Sequence, residues 1–142
     1  MRKTLNKKEV DRFSRQIILK NIGSLGQEKI NQAKVLVVGM GGLGCPVAEF
    51  LVRAGVRNIG IVDDDIVSIS NIHRQSLYDT NDIKISKTKS AKNKLKKINS
   101  NTIIKSYNIR IDKTNIKKII KDYDYIVDGS DNFQTKFLLN DC

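Results

Sequence analysis

A chain of 142 residues falls in the size range of one domain and is long enough to bury a single ordinary core. Hydrophobic residues make up 39%, mean hydropathy is -0.35, and one proline and no low-complexity tract occur, which excludes a disordered or collagen-like chain. The longest apolar run is too short to span a bilayer, and the charged amino terminus lacks the apolar segment of a secretory signal, so a cytoplasmic protein with no membrane partner is expected. Only Cys45 and Cys142 occur, which leaves neither a disulfide framework nor the spacing of a zinc site. The formal net charge of +11 suits an anionic partner, either nucleic acid or an acidic protein. Much of the excess lies in Lys84, Lys87, Lys89, Lys92, Lys94, Lys96 and Lys97, around Ala91, Leu95 and Ile98 at helical spacing. With no aromatic residues interleaved to stack bases, these lysines read as the solvated face of an amphipathic helix and not as a nucleic-acid footprint.

In chain order, Val10, Phe13 and Ile17 share one helical face and predict a helix over 7–20, followed by a shorter one over 24–32. Val35 to Val38 is a continuous apolar run, the pattern of a strand covered on both faces in a parallel sheet. Leu43, Val47, Phe50, Leu51 and Ala54 then recur at helical spacing over 44–54, with Pro46 in the first turn where its missing N–H is harmless. Further strands are expected at 59–62, 102–109 and 125–127, helices at 86–98 and 114–121, and the start of a last helix from Asn132. The alternation predicts an α/β fold: a Rossmann-like parallel sheet with flanking helices, ending soon after its fourth strand. It divides into a helical arm over 1–32 and a core over 33–142.

Gly39-Met40-Gly41-Gly42-Leu43-Gly44 fits a GxGxxG loop, directly after the first strand and opening the next helix. In this context Gly39 permits the tight turn, Gly41 admits a phosphate to the backbone and Gly44 allows close helix packing, while the helix N-terminus supplies free N–H groups. Asp63 ends the second strand, where an acidic side chain accepts from ribose hydroxyls. These features point to a nucleotide, and they fit NAD and ATP equally.

More specific residues follow: Asp63-Asp64-Asp65, Ser70-Asn71-Ile72-His73-Arg74-Gln75, Lys87, Asp128-Gly129-Ser130-Asp131-Asn132, and the opening Arg12-Phe13-Ser14-Arg15-Gln16. Together they resemble the MoeB/ThiF/HesA family of adenylyltransferases, relatives of the ubiquitin-activating enzymes, in its D-x-D, S-N-x-x-R-Q, lysine, D-x-x-D-N and R-x-x-R-Q motifs. The resemblance implies that the C-terminal glycine carboxylate of a ubiquitin-like sulfur-carrier protein, serving molybdopterin or thiamin synthesis, attacks the α-phosphate of ATP to give an acyl-adenylate and pyrophosphate. It implies that Arg74 and Lys87 contact the phosphates, Asp131 holds Mg²⁺, Asp63 binds the ribose and Asn71 orients the phosphate region, above a loop that includes Gly42. It implies a homodimer in which Arg15 reaches the partner subunit's site. Plainer roles stand beside these: Arg74 and Lys87 as surface cations, Asp63 and Asp65 as loop caps, Asp128 and Asp131 as helix caps, Arg15 in a surface ion pair. His73 receives no role, and Cys45, although near a helix N-terminus, reads as a small buried packing residue.

The match departs from the family in two places. The glycine and proline that often precede the lysine are replaced by Lys84-Ile85-Ser86. Family members also continue into further strands, paired CxxC zinc motifs and a segment that grips the carrier tail, none of which occurs here. The expectation is therefore an adenylyltransferase's ATP-binding half whose independent turnover stays open, with a truncated or accessory nucleotide-binding subunit as one alternative and an NAD-dependent oxidoreductase as another. No catalytic dyad for hydride transfer is recognisable. Family members that activate a tRNA-linked carboxylate share the core motifs, and the Arg12–Gln16 opening favours the sulfur-carrier branch.

Overall fold

The computed structural model describes residues 5–142; residues 1–4 of the expected arm lie outside it. The chain forms α1 (Lys7–Arg12), α2 (Ser14–Ile17), α3 (Gly23–Gln32), β1 (Lys34–Val38), α4 (Gly44–Ala54), β2 (Asn58–Val62), α5 (Lys87–Ile98), β3 (Ile103–Tyr107), α6 (Ile116–Ile120), β4 (Tyr125–Asp128) and α7 (Phe133–Asn140), with single 3-10 turns at Ile69–Asn71 and Thr80–Asp82. The expected Rossmann-like α/β sheet is present: four parallel strands in the order β3-β2-β1-β4. β1 is central, paired with β2 from Lys34 with Asn58 to Val38 with Val62, and with β4 from Val35 with Tyr125 to Val38 with Asp128.

Burial on both faces explains the unbroken apolar run of β1. Val35 and Val37 pack toward α4 and α5, against Cys45, Ala48, Val52, Ala91 and Leu95, together with Ile59 and Ile61 of β2. Leu36 and Val38 pack on the opposite face with Val62, Ile111, Ile116 and Ile119, flanked by Leu138 and Leu139 of α7. Each such side chain taken out of water contributes about 1.5–3 kcal/mol. The strand order makes β1 and β4 the point at which the sheet reverses direction. Loops leaving neighbouring strands in opposite directions there leave a crevice at the carboxyl ends of the strands.

Several boundaries differ from expectation. The predicted 7–20 helix is broken at Phe13, whose φ of -102° and ψ of 14° end α1. The break turns Phe13 inward to 3% exposure and leaves Val10 at 43%. It also lets the Gln16 amide donate to Gln27 Oε1 at 2.7 Å and to the Ala54 carbonyl at 3.1 Å, while Glu9 pairs with Arg57. The third strand and sixth helix are shorter than the predicted 102–109 and 114–121.

The largest correction concerns α4. Its buried side is Gly44, Cys45, Ala48 and Val52, whereas Leu43 and Phe50, part of the apolar helical spacing that predicted the helix, are 66% and 67% exposed. The reason is the loop before it. A Cβ on Gly44 would lie 1.7 Å from the Gly39 carbonyl oxygen, so the helix start is pressed onto the loop and only small residues fit beneath it. Gly39 itself sits at a φ of +86°, with Gly129 at 2.9 Å from its would-be Cβ. Gly41 has only Gln75 Nε2 nearby, at 3.8 Å.

Gly44→Ala is therefore expected to destabilise the fold by about 1–3 kcal/mol or more, whereas Gly41→Ala should stay within about 0.5 kcal/mol of wild type. Chemical denaturation of the two variants checks this; equal effects would contradict the packing account.

Candidate nucleotide-binding cleft

A cleft of about 510 Å³ opens over the carboxyl ends of β1, β2 and β4, within the size range of small-molecule sites. Gly39, Gly41 and Gly42 form its floor, and Asp63, Asn71, Arg74, Lys87 and Asp131 line its walls. Gly44 lies beneath the loop as a packing residue, and Arg15 is exposed elsewhere, outside the lining of its own chain's cleft. Residues scattered from 39 to 131 thus meet in one place, because each follows a strand, belongs to the loop between β2 and α5, or, as Lys87 does, opens α5.

Each wall has a local cause. Asp63 accepts the Met40 N–H at 2.7 Å and the Asp65 N–H at 2.8 Å, one on each carboxylate oxygen, so it does cap the loops. Each oxygen keeps a further acceptor site toward the cleft. Asn71 closes the 3-10 turn, its side chain accepting the Ser68 N–H at 3.0 Å and its carbonyl accepting the Arg74 and Gln75 N–H groups. The Arg74 guanidinium donates to the Ser70 carbonyl at 2.7 Å and lies 3.0 Å from His73 Nε2, beside Gly42.

Lys87 is not part of the solvated lysine face. Its side chain is 7% exposed and its Nζ lies 2.8 Å from the Asp65 carboxylate. Lys94 also leaves that face, to pair with Asp79 and Asp82. Lys84, without the family's glycine, adopts a φ of +69°, and Ile85 donates to the Asp82 carbonyl.

At the fourth wall, Asp128 accepts the Ser130 N–H at 2.9 Å and the Ser130 hydroxyl at 2.6 Å, and Lys136 lies 3.4 Å away. Partial burial raises the Asp128 pKa, but the Ser130 hydrogen bonds and Lys136 outweigh it and hold the carboxyl below its ordinary value. The cap of α7 is Asn132, whose side chain accepts the Thr135 N–H at 2.8 Å, not Asp131. Asp131 is left exposed at the cleft with no hydrogen bond to any described residue.

Beneath the loop, the Cys45 thiol is fully buried and donates to the Met40 carbonyl at 3.3 Å, and the Tyr78 hydroxyl donates to the same carbonyl at 2.9 Å. Burial pushes the Cys45 pKa up to about 11, the neighbouring Tyr78 hydroxyl opposing it only in part, so this thiol is a packing residue and no nucleophile. Sequence reasoning missed Gln75, Arg110 and Asn132, all of which line the cleft. Gln75 and Asn132 stand inside recognised motifs, while Arg110 is marked only by following β3 at the same end of the sheet.

The cation balance bears on what binds. Asp63, Asp64, Asp65 and Asp131 line the cleft with Arg74, Lys87 and Arg110, so the carboxylates outnumber the cations. A polyphosphate enters such a site only with added positive charge. The oxygens of Asp63, Asp64 and Asp65 approach within 4.8 Å of one another, but backbone N–H groups occupy Asp63 and Lys87 occupies Asp65. Asp64 and Asp131 are the cleft carboxylates without a hydrogen bond to a described residue, free to serve as oxygen ligands for a hard cation.

Comparison with known proteins bears on the family and the fold. A sulfur carrier protein adenylyltransferase of Thermus thermophilus is 45% identical over 135 residues, covering 95% of this chain and 50% of the relative. An adenylyltransferase and sulfurtransferase MOCS3 of Culex quinquefasciatus is 44% identical over 137 residues, 96% of this chain and 31% of the relative. The chain thus spans half or less of the length of these relatives. Among solved structures, PaaA superposes with a TM-score of 0.81 at 31% identity, over 90% of this chain and 42% of that one. Escherichia coli MccB, solved with ATP, gives 0.79 at 28% identity, over 91% and 40%. No described helix is long and apolar enough to cross a membrane. The ThiF family model matches residues 13–142, and the chain belongs to the ThiF family.

Proposed function

We propose that this chain is the ATP-binding part of a cytoplasmic adenylyltransferase that activates the C-terminal glycine carboxylate of a ubiquitin-like sulfur-carrier protein. The observation that carries this reading is the convergence of the glycine loop with Arg74, Lys87 and Asp131 on one cleft at the sheet's switch point. The names of the relatives support adenylation as the chemistry and a sulfur carrier as the substrate.

The reaction joins two anions, a carboxylate and a triphosphate, so the site must offset their repulsion and hold them in line. Arg74, next to Gly42, and Lys87 would receive the phosphates, and the N-terminal end of the α4 dipole adds partial positive charge. Asp63 would take the ribose hydroxyls on its free acceptor sites, and Asn71 keeps Arg74 in place through the turn that it closes. Asp131 would hold Mg²⁺, which neutralises phosphate charge where carboxylates otherwise outnumber cations. The carrier carboxylate oxygen then bonds to the α-phosphorus, the bond to the bridging oxygen breaks, and pyrophosphate leaves.

Arg15 fits a role in a second copy's site. It is exposed, has no ion partner among the described residues, and sits on an arm pinned to the core through Gln16, Gln27 and the Glu9–Arg57 pair. Leu43 at the cleft mouth and Phe50 on the outward side of α4 are exposed beside the partly buried Pro46, Val47 and Leu51, an apolar surface of the kind a homodimer covers.

Calorimetry with ATP and Mg²⁺ tests the site: the 142-residue chain should bind, Asp131→Ala and Arg74→Ala should each weaken binding by about tenfold or more, and NADH should not compete. A folded wild-type chain that ignores ATP contradicts the proposal. For Arg15, mixing Arg15→Ala chains with Asp131→Ala chains should restore tight binding at one site of each hybrid dimer, and no recovery on mixing rules out action in trans.

A further inference from the structure

Gln75 stands beside Arg74, and the two side chains approach neighbouring glycines of the loop. Arg74 carbon atoms lie 3.9 Å from where a Cβ on Gly42 would be, and Gln75 Nε2 lies 3.8 Å from the corresponding point on Gly41. The residue is only 3% exposed yet lines the cleft. Its backbone is tied on both sides, the N–H donating to the Asn71 carbonyl at 3.0 Å and the carbonyl accepting the Tyr78 N–H at 3.1 Å. Its side chain is not. The Oε1 atom is shut away from solvent with no hydrogen-bond partner among the described residues, and Nε2 donates to none of them.

A buried amide oxygen without a partner is destabilising, and a long apolar side chain would fill this position without that cost. The arrangement makes sense through the other end of the carboxamide. With Oε1 turned inward, the donor end faces the glycine that leaves room for an anion, where an acceptor would be repelled. We propose that Gln75 is a phosphate-binding residue: its Nε2 donates to a nucleotide phosphate oxygen over Gly41, as a neutral donor next to the charged Arg74. A neutral donor adds hydrogen bonding and orientation in a cleft where a further cation would instead pair with the neighbouring carboxylates. This assignment rests on the ATP reading above and names a contact that it lacks.

The test is Gln75→Met, which keeps the length and removes both polar ends, measured by calorimetry with Mg-ATP, adenosine and inorganic tripolyphosphate, and by thermal denaturation. The expected result is an unchanged or raised Tm, about tenfold weaker binding of ATP and tripolyphosphate, and unchanged affinity for adenosine. Gln75→Glu, which sets a carboxylate against the phosphate, should weaken ATP by at least as much. A lower Tm with equal losses for ATP and adenosine makes Gln75 a packing residue and overturns the proposal, as does wild-type ATP affinity in Gln75→Met. Should the wild-type chain ignore ATP, the adenylation reading fails by itself. Tripolyphosphate then decides for Gln75: weaker binding by the variant upholds the contact, and equal or absent binding overturns it.

Discussion

The contact between Gly44 and the Gly39 carbonyl oxygen governs more of this molecule than any other. No side chain fits there, since a Cβ on Gly44 would stand 1.7 Å from the oxygen, and one on Gly129, just after β4, would stand 2.9 Å from it. Three backbones therefore meet at the reversal point of the sheet. Their meeting sets the roll of α4 and brings the β4 loop with Asp131 to the same opening as the glycine loop. Underneath, the Cys45 thiol and the Tyr78 hydroxyl both donate to the Met40 carbonyl, which fixes the loop from the core side.

Electrostatics above this floor depend on compensation. Lys87 is buried, and a buried ammonium is costly without a partner; Asp65 supplies one at 2.8 Å. Asp63 is spent partly on the Met40 and Asp65 N–H groups, and Asp128 on the Ser130 turn. These carboxylates shape the site, and Asp64 and Asp131 are left without a hydrogen bond to a described residue. A cleft with four aspartates suits a polyphosphate only in company with a cation, which is why the aspartates and the phosphate loop belong to one chemical argument.

The parallel sheet was legible because β1 is buried on both faces and so has no polar alternation, and because a glycine loop between a strand and a helix has few other uses. The cleft residues were legible through motif order, and the structure brings eight of the ten expected positions to the cleft lining. What escaped the sequence has physical causes. Leu43 and Phe50 follow helical apolar spacing whether they face a core or lie open, and only the Gly44 contact decides which. Phe13 ends α1 because its ring is buried near Gly55, a contact between segments 42 residues apart in numbering. Lys87 looks like its lysine neighbours until Asp65 is placed beside it. Gln75 carries no charge and drew no role, although its orphaned oxygen marks it once the fold is known.

Amide hydrogen exchange of the 142-residue chain with and without Mg-ATP tests the central claim most directly, since it reports where a nucleotide settles without altering a residue. The account predicts new protection in 39–45, 70–75 and 128–132 and none along Val47 to Leu51. Protection confined to other segments, or ATP binding that leaves the glycine loop unprotected, would contradict it.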